Sequence, residues 1–289
     1  MILDGKLIAE RILDSIARSV TSLRDKGITP TLSVILVGDD PGSLSYIKQK
    51  QKTADKVGIR VIFEHFSDTI APDILASAIA HYNADDEVHG LIIQRPVPTY
   101  IGDTGDILQT VIPAKDVDGF HPQSPFQVPV AKAVLTLLSS AHSTLLSQGL
   151  VHGEFLPWLQ AQNISVVGRG ETAGKPIANV LMTYKCSPTV IHSRTEHPQQ
   201  ILKQSDIIIS CVGKREVVKK SYISNGAILI SVGIWRDADG KLHGDYESDD
   251  IEQVVAFYTP TPGGVGPVNV ACLMQNVLEA CILQKDLHK

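Results

Sequence analysis

The stretch Ile164-Ser-Val-Val-Gly168-Arg-Gly170-Glu-Thr-Ala173-Gly-Lys-Pro176 decides the fold of the 289-residue chain. Four residues that suit a buried strand run into a glycine turn, and apolar residues at helical spacing follow from Ala173 to Met182. Gly168, Gly170 and Ala173 fit G-x-G-x-x-G/A placed between a strand and a helix, the arrangement that cradles a dinucleotide. The first glycine permits the tight turn, the second lets backbone approach a pyrophosphate, and the small third residue lets helix and strand pack closely. The helix N-terminus adds N–H groups and a positive dipole. A glycine-rich strand-to-helix turn without a ligand is the bland alternative. A Walker-type phosphate loop is not: Gly168 and Gly174 are six apart and Pro176 follows Lys175, where that loop needs five and a Ser or Thr.

Outward from this turn the chain alternates. Downstream, Thr189-Val-Ile, Asp206-Ile-Ile-Ile-Ser and Ala227-Ile-Leu-Ile-Ser read as further strands. Upstream, helical spacing from Leu7 to Leu23 precedes a strand from Leu32 to Val37 closed by Gly38. A helix from Ser43 to Val57, a strand from Arg60 to Phe63, a helix from Asp73 to Tyr82 and a strand from Gly90 to Ile93 follow. A mixed stretch from Gln123 to Gln162, helix-like from Ala131 to Leu146, separates the two series, and Val268 to Leu283 is again helical. Strands and helices in such alternation predict parallel α/β sheets in two lobes, with substrate in the cleft between them.

Composition agrees. Apolar residues make up 43% and charged residues 20%, the balance of a globular protein, and disorder as the main state is excluded. A net charge of −5 disfavours binding to nucleic acid through a basic field. The cysteines at 186, 211, 272 and 281 form no Cys-x-x-Cys pair, and none of the ten histidines is spaced as a metal pair, so no metal site is expected. No apolar run reaches the roughly 20 residues of a membrane span. Asp4 breaks the pattern of a signal peptide, so the expected location is the cytoplasm, with no membrane partner.

About 20 residues past the glycine loop, an NAD site usually carries an acid for the ribose hydroxyls. Here the chain reads His192-Ser-Arg-Thr195. Arg194 suits a 2′-phosphate, with Ser193 as a further donor and Arg169 adding charge, so NADP is favoured over NAD. Glu196 keeps NAD open, and a solvated loop charge is the plain alternative for Arg194.

Tyr46-Ile-Lys-Gln-Lys50-Gln-Lys52 looks like a charge run, yet on a helix Tyr46 and Lys50 share one face while Lys48 and Lys52 point away. An ordinary surface helix is the bland reading. On a cleft wall the pair instead combines a flat stacking surface with an amine, provided burial and neighbouring cations lower the lysine from its usual pKa near ~10.4. Gly90-Leu-Ile-Ile-Gln94-Arg-Pro-Val-Pro98 places polar Gln94 at the carboxyl end of a strand, where α/β proteins gather ligands. Lys115-Asp-Val-Asp118-Gly-Phe-His121 sets Asp116 and Asp118 on alternate sides of an extended turn, and Thr259-Pro-Thr-Pro262-Gly263-Gly264-Val-Gly-Pro267 is rigid and open at once.

Taken in order along nearly the whole chain, these motifs resemble the bifunctional methylenetetrahydrofolate dehydrogenase/cyclohydrolase family of one-carbon metabolism. Val37-Gly-Asp-Asp-Pro-Gly-Ser43 belongs to the same set. The resemblance implies a two-domain α/β homodimer with a folate substrate and NADP as cofactor. Its N-terminal catalytic domain would span 1–126, with a C-terminal helix, 265–289, returning to it, and a Rossmann-like domain would span 127–264. It implies oxidation of 5,10-methylenetetrahydrofolate to the methenyl form with NADP⁺, then hydrolysis to 10-formyltetrahydrofolate. By the same resemblance Lys50 transfers the proton, Gln94 positions it, Tyr46 packs on the pterin and Asp118 anchors the pterin's amino edge. Pro262, Gly263 and Gly264 then line the substrate, and Gly168, Arg169, Gly170, Ala173, Ser193, Arg194, Val212 and Ile234 the cofactor.

The chain departs from the family pattern mainly on the cofactor side. Gln127-Val-Pro-Val-Ala-Lys-Ala133 stands where the family has a Pro-Cys-Thr-Pro-x-Gly motif, and His152-Gly-Glu-Phe-Leu-Pro-Trp158 lies in a longer stretch than usual. Gly170 replaces a common Ser, Val268-Asn269 a Met-Thr, and Gly244-Asp-Tyr246 a Gly-Asp-Val. Three other readings follow: a family member with cyclohydrolase but weak or lost dehydrogenase activity, a shikimate-dehydrogenase-like reductase, and a non-catalytic folate- or nucleotide-binding protein.

Overall fold

A computed structural model describes residues 1–102 and 104–286. The elements in chain order are α1 (Gly5–Arg24), β1 (Thr31–Val37), α2 (Pro41–Val57), β2 (Arg60–Phe66), α3 (Pro72–Ala84), β3 (Gly90–Ile93) and α4 (Thr104–Leu108). Then come α5 (Pro129–Ser147), α6 (Phe155–Gln160), β4 (Ile164–Val167), α7 (Gly174–Thr183), β5 (Thr189–Ile191), α8 (Pro198–Lys203) and β6 (Ile207–Ser210). The last are β7 (Ile228–Ser231), β8 (Trp235–Arg236), β9 (Leu242–His243), α9 (Ser248–Ile251), β10 (Phe257–Tyr258) and α10 (Val265–Asp286). Every strand and helix expected from spacing is present, most within two residues at each end. Strand β2 runs three residues further than expected, and the last three residues of the expected 265–289 segment lie outside the described ones. The β8–β9 hairpin and β10 went unread, because pairs of two residues carry no period.

The chain forms two compact units, Glu10–Pro129 with Val270–Lys289, and Met1–Ala9 with Val130–Asn269. The chain passes from one unit to the other between residues 129 and 130, and the first nine residues belong with the C-terminal unit. The reason is pairing: Leu3 N–H donates to Tyr258 O (2.8 Å) and Tyr258 N–H to Met1 O (3.0 Å), which adds the N-terminus beside β10.

In the N-terminal unit a parallel sheet has the order β2-β1-β3. β1 is buried along its whole length, as befits a central strand covered on both faces. Ile35, Leu91 and Ile93 pack with Leu75 and Ile79 of α3. The chain leaves β1 toward β2 and returns to β3 on the other side, so the order reverses between β1 and β3, and ligands gather at such points.

In the C-terminal unit all five strands are parallel in the order β10-β7-β6-β4-β5, a doubly wound sheet. Its reversal point lies between β4 and β6. The core there joins Ile208, Leu229 and Tyr258 to Leu202 and Ile251. Helix α10 is long and apolar enough by composition to cross a membrane, but 67% of its most apolar window is buried, as in the core helix of a folded protein.

Candidate active site

Helix α2 is fixed at both ends by its own sequence. Asp40 accepts from Ser43 N–H (2.7 Å), Pro41 opens the first turn, and Gly58 closes the last in the left-handed conformation at φ 80°. Its buried stripe is Ser43, Ile47, Lys50, Ala54 and Val57, so helical geometry alone carries Lys50 inward among apolar neighbours. Lys48 and Lys52 are exposed, as their place on the helix requires.

Lys50 is 3% exposed. Its Nζ donates to Gln94 Oε1 at 3.1 Å and lies 4.8 Å from the centroid of the Tyr46 ring. Burial holds the amine below the ordinary lysine range; Asp118 opposes that shift and Arg95 adds to it. Burial likewise pushes the Tyr46 hydroxyl up, with Asp118 adding. Gln94 stands at the carboxyl end of β3, where its N–H continues the ladder to Ile35 O (2.8 Å). Its Nε2 donates to Arg95 O (3.0 Å), which turns Oε1 toward the lysine. The same Arg95 carbonyl accepts from Ser43 Oγ (3.2 Å), and the Arg95 guanidinium lies 3.7 Å over the Phe120 ring.

Asp118 is placed by a braced turn. Lys115, buried, donates to Tyr82 O (2.9 Å) and Asp85 O (2.6 Å). Asp116, also buried, accepts from Gly119 N–H (3.1 Å) and His121 N–H (2.7 Å). Burial raises the Asp116 carboxyl to about 6, with the two backbone donors opposing and the charge of Asp118 adding. Asn276 of α10, fully buried, donates to both Val117 O and Gln127 O at 2.9 Å. Tyr46, Lys50, Gln94 and Asp118 are thus brought together in one unit. Reading the sequence gave no supporting role to Ser43, Arg95, Asp116 or Asn276. Ser43 was legible in principle, seven residues before Lys50 on the same helical stripe. Asn276 had no local signal.

The glycine loop occupies the reversal point of the other sheet. Gly168 has φ 103°, and a Cβ there would stand 2.9 Å from Cys211 O of the loop after β6. The residue that must be small for close packing is Gly174, not Ala173 as expected from the motif: a Cβ on Gly174 would collide with Gly168 O. Ala173 instead precedes the helix at φ −144° and gives it no side-chain cap. Gly170 is exposed with open space around its Cβ position, so packing does not demand glycine there.

A cleft of about 430 Å³ opens here, within the size range of ligand sites, lined by Val167, Gly168, Arg169, His192, Ser193 and Val212 among others. The turn after β5 is held by His192 N–H to Thr195 Oγ1 (2.9 Å) and Arg194 N–H to His192 Nδ1 (3.1 Å), which leaves Ser193 and Arg194 exposed. The residues lining this cleft do not include Arg194, Gly170, Ala173 or Ile234. Ile234 is 57% exposed at the start of the β8–β9 hairpin, and its carbonyl lies against Gly213.

Asp245, unremarked in the sequence beyond its place in Gly-Asp-Tyr, anchors the cleft floor. Fully buried, it accepts from Ser210 Oγ (2.6 Å) and from the N–H groups of Val212 (2.9 Å), Gly213 (2.7 Å) and Lys214 (3.0 Å). Tyr246 beside it donates to Thr259 O (2.8 Å) and accepts from Thr259 N–H (3.1 Å), holding the start of the Pro-Gly-Gly segment. In that segment Gly263 has φ 108°, and a Cβ on Gly264 would lie 2.6 Å from Pro260 O. Pro262, Gly263 and Gly264 belong to the C-terminal unit, whereas the Lys50 cluster belongs to the N-terminal one.

A doubly wound unit with a glycine loop, and a second α/β unit holding a buried lysine, define the class of dinucleotide-dependent α/β enzymes. Comparisons with known proteins narrow it. Residues 3–118 match the catalytic domain of tetrahydrofolate dehydrogenase/cyclohydrolase, and residues 154–285 match its NAD(P)-binding domain. The bifunctional protein FolD of Ligilactobacillus salivarius is 35% identical over 96% of this chain and 95% of its own. FolD of Staphylococcus epidermidis is 36% identical over 100% and 99%. Among solved structures, the bifunctional enzyme FolD of Campylobacter jejuni superimposes with a TM-score of 0.88 at 30% identity, covering 98% and 99% of the two chains. Trypanosoma brucei FolD, complexed with NADP cofactor and inhibitor, gives 0.87 at 28% over 100% and 99%. The chain belongs to the tetrahydrofolate dehydrogenase/cyclohydrolase family.

Proposed function

We propose that Lys50 is the proton-transfer group of a bifunctional enzyme that oxidises 5,10-methylenetetrahydrofolate and hydrolyses the methenyl product to 10-formyltetrahydrofolate. The carrying observation is the buried Lys50 amine, 3.1 Å from Gln94 and beneath the Tyr46 ring. The methenyl carbon is already an electrophile, so hydrolysis needs a water deprotonated as it attacks and a proton delivered to the departing ring nitrogen. An ordinary lysine is protonated at neutral pH and cannot accept that proton. Burial in the α2 stripe favours the neutral amine, and Gln94 Oε1 fixes its position. Tyr46 offers a ring face on which a pterin stacks, and Asp118 a carboxylate able to accept from the N–H groups of its amino edge.

For the oxidation, the residues of the glycine-loop cleft fit a dinucleotide. Close backbone approach at Gly168 and Gly174, an uncapped helix start and a cleft with Arg169 and Ser193 among its lining residues are the features a pyrophosphate and an adenosine require. Arg169, Ser193 and Arg194 are the groups for a 2′-phosphate, which favours NADP. Val212, which lines the cleft, would meet the bound cofactor, Gly170 and Ala173 of the glycine turn would lie on its phosphate side, and the exposed Ile234 would serve its outer edge. Bound NADP⁺ supplies the hydride acceptor.

The alternatives of a lost dehydrogenase or a non-catalytic binder draw no support from the relatives, which are named as bifunctional proteins and, for the Campylobacter jejuni structure, as a bifunctional enzyme. The working form is proposed to be a cytoplasmic homodimer, which sedimentation and cell fractionation test. The decisive experiment follows methenyl-tetrahydrofolate formation with NADP⁺ or NAD⁺ in one cuvette and its decay in another. Wild type is expected to perform both with NADP⁺ preferred, and Lys50→Ala to lose hydrolysis while keeping folate binding in part. Unchanged hydrolysis by Lys50→Ala would overturn the assignment.

A further inference from the structure

The Lys50–Gln94 pair is tied to Arg95 by two routes. Through its main chain, the Arg95 carbonyl receives both Gln94 Nε2 (3.0 Å) and Ser43 Oγ (3.2 Å), which orients the amide that Lys50 meets. Through its side chain, the guanidinium carbon lies over the Phe120 ring, 3.7 Å from its centroid, two residues beyond Asp118. Stacking of a guanidinium on an aromatic face fixes its charge in place at small entropic loss.

We propose that Arg95, pinned on Phe120 beside the Lys50–Gln94 pair, is a positioning residue whose fixed positive charge sets the protonation of Lys50 against the opposing charge of Asp118. The groups facing the Lys50 amine are the Tyr46 ring from its own helix, Gln94 and Arg95 from the end of β3, and Asp118 from the braced turn. Of these Asp118 favours the ammonium and Arg95 the neutral amine. Burial does most of the lowering, the carboxylate of Asp118 works against it, and Arg95 offsets part of that opposition. The inference rests on the reading of Lys50 as the proton-transfer group.

The test is the pH profile of kcat/KM for methenyl-tetrahydrofolate hydrolysis, with ¹⁵N NMR of the lysine Nζ as a direct titration. Arg95→Gln is expected to move the ascending limb and the Lys50 titration to higher pH, lowering the rate on that limb by up to about tenfold. Arg95→Lys, which keeps the charge, is expected to restore the limb. Phe120→Leu, which releases the guanidinium while leaving its charge, is expected to displace it in the same direction, and it carries the test should Arg95→Gln fail to fold. A limb that stays at the wild-type position in folded Arg95→Gln or Phe120→Leu would overturn the inference, as would failure of Arg95→Lys to restore it; a purely structural Arg95 would change rate without moving the limb. Lys50→Gln separates the two levels. If it keeps pH-dependent hydrolysis, the assignment of Lys50 falls and this inference with it. If it is inactive while the Arg95→Gln limb is unmoved, only the inference falls.

Discussion

Replacing Asp245 by Asn changes one atom and should dismantle the floor of the nucleotide cleft. The wild-type carboxylate accepts four hydrogen bonds, from Ser210 Oγ and three consecutive N–H groups, and is fully buried. An amide offers one acceptor oxygen, so two of the four donors lose their partner and face N–H groups instead. Each donor left unsatisfied costs about 1–3 kcal/mol. Val212 is partly exposed, so some of that loss is recovered by water, and a net loss of about 2–4 kcal/mol is expected. That is a large share of the ~5–15 kcal/mol typical of a domain. Both tryptophans, Trp158 and Trp235, lie in this unit, and Trp235 donates to Gly244 O next to the substitution. Urea unfolding followed by tryptophan fluorescence therefore reads the affected unit, and titration with NADP⁺ reads the cleft. The expected result is a lower midpoint together with weakened NADP⁺ binding. A stability loss below about 1 kcal/mol with unaltered NADP⁺ affinity would show that the buried carboxylate does not organise the loop after β6.

Three further outcomes are expected. Gln94→Glu would set a carboxylate 3.1 Å from Lys50, favour the ammonium and depress hydrolysis at neutral pH by about tenfold or more, with partial recovery at alkaline pH; unchanged activity would refute the electrostatic reading of that contact. Gly174→Ala would drive a methyl group into Gly168 O and should abolish measurable NADP⁺ binding, whereas Ala173→Gly should bind nearly as well as wild type; equilibrium binding compares the two. His89 is buried with its pKa lowered to about 4, by burial first and then by Lys285 and Lys115, so the unfolded chain takes up the proton first as pH falls. Its contribution is full above about pH 6.5 and lost between there and about pH 4, on the order of 3 kcal/mol. Asp116, raised to about 6, acts with the opposite sign in nearly the same window, since its protonated form is favoured in the folded state. The gap in stability between wild type and His89→Gln should therefore narrow as pH falls from 7 to 4, Asp116 cancelling from the difference; a gap independent of pH would contradict it.

Local chemistry carried the reading of this sequence far. Strand β1 is buried throughout and apolar but for Thr31 and Ser33 because both its faces are covered, and Gly58 marks the end of α2 because it takes the left-handed conformation that closes that helix. The same period separated Lys50 from Lys48 and Lys52, since a helix allows one of those faces to be inside at a time. The glycine motif gave the place of the nucleotide loop but not which small residue is indispensable. That depends on how closely two backbones approach, and the approach selects Gly174 over Ala173.

What the sequence determined by itself was the order of strands and helices, the inward face of α2 and the motifs at the strand ends, all fixed by contacts within a few residues. The tertiary structure alone decided that Asn276 braces the turn carrying Asp118, that Asp245 ties down the loop after β6, that Arg95 lies over Phe120 near the lysine, and that residues 1–3 pair beside β10. These are single polar contacts or short pairings between segments far apart in the chain, Asn276 and Val117 being 159 residues apart. A hydrogen bond of that kind leaves no period, spacing or propensity behind, because its partner is chosen by where the folded backbone passes.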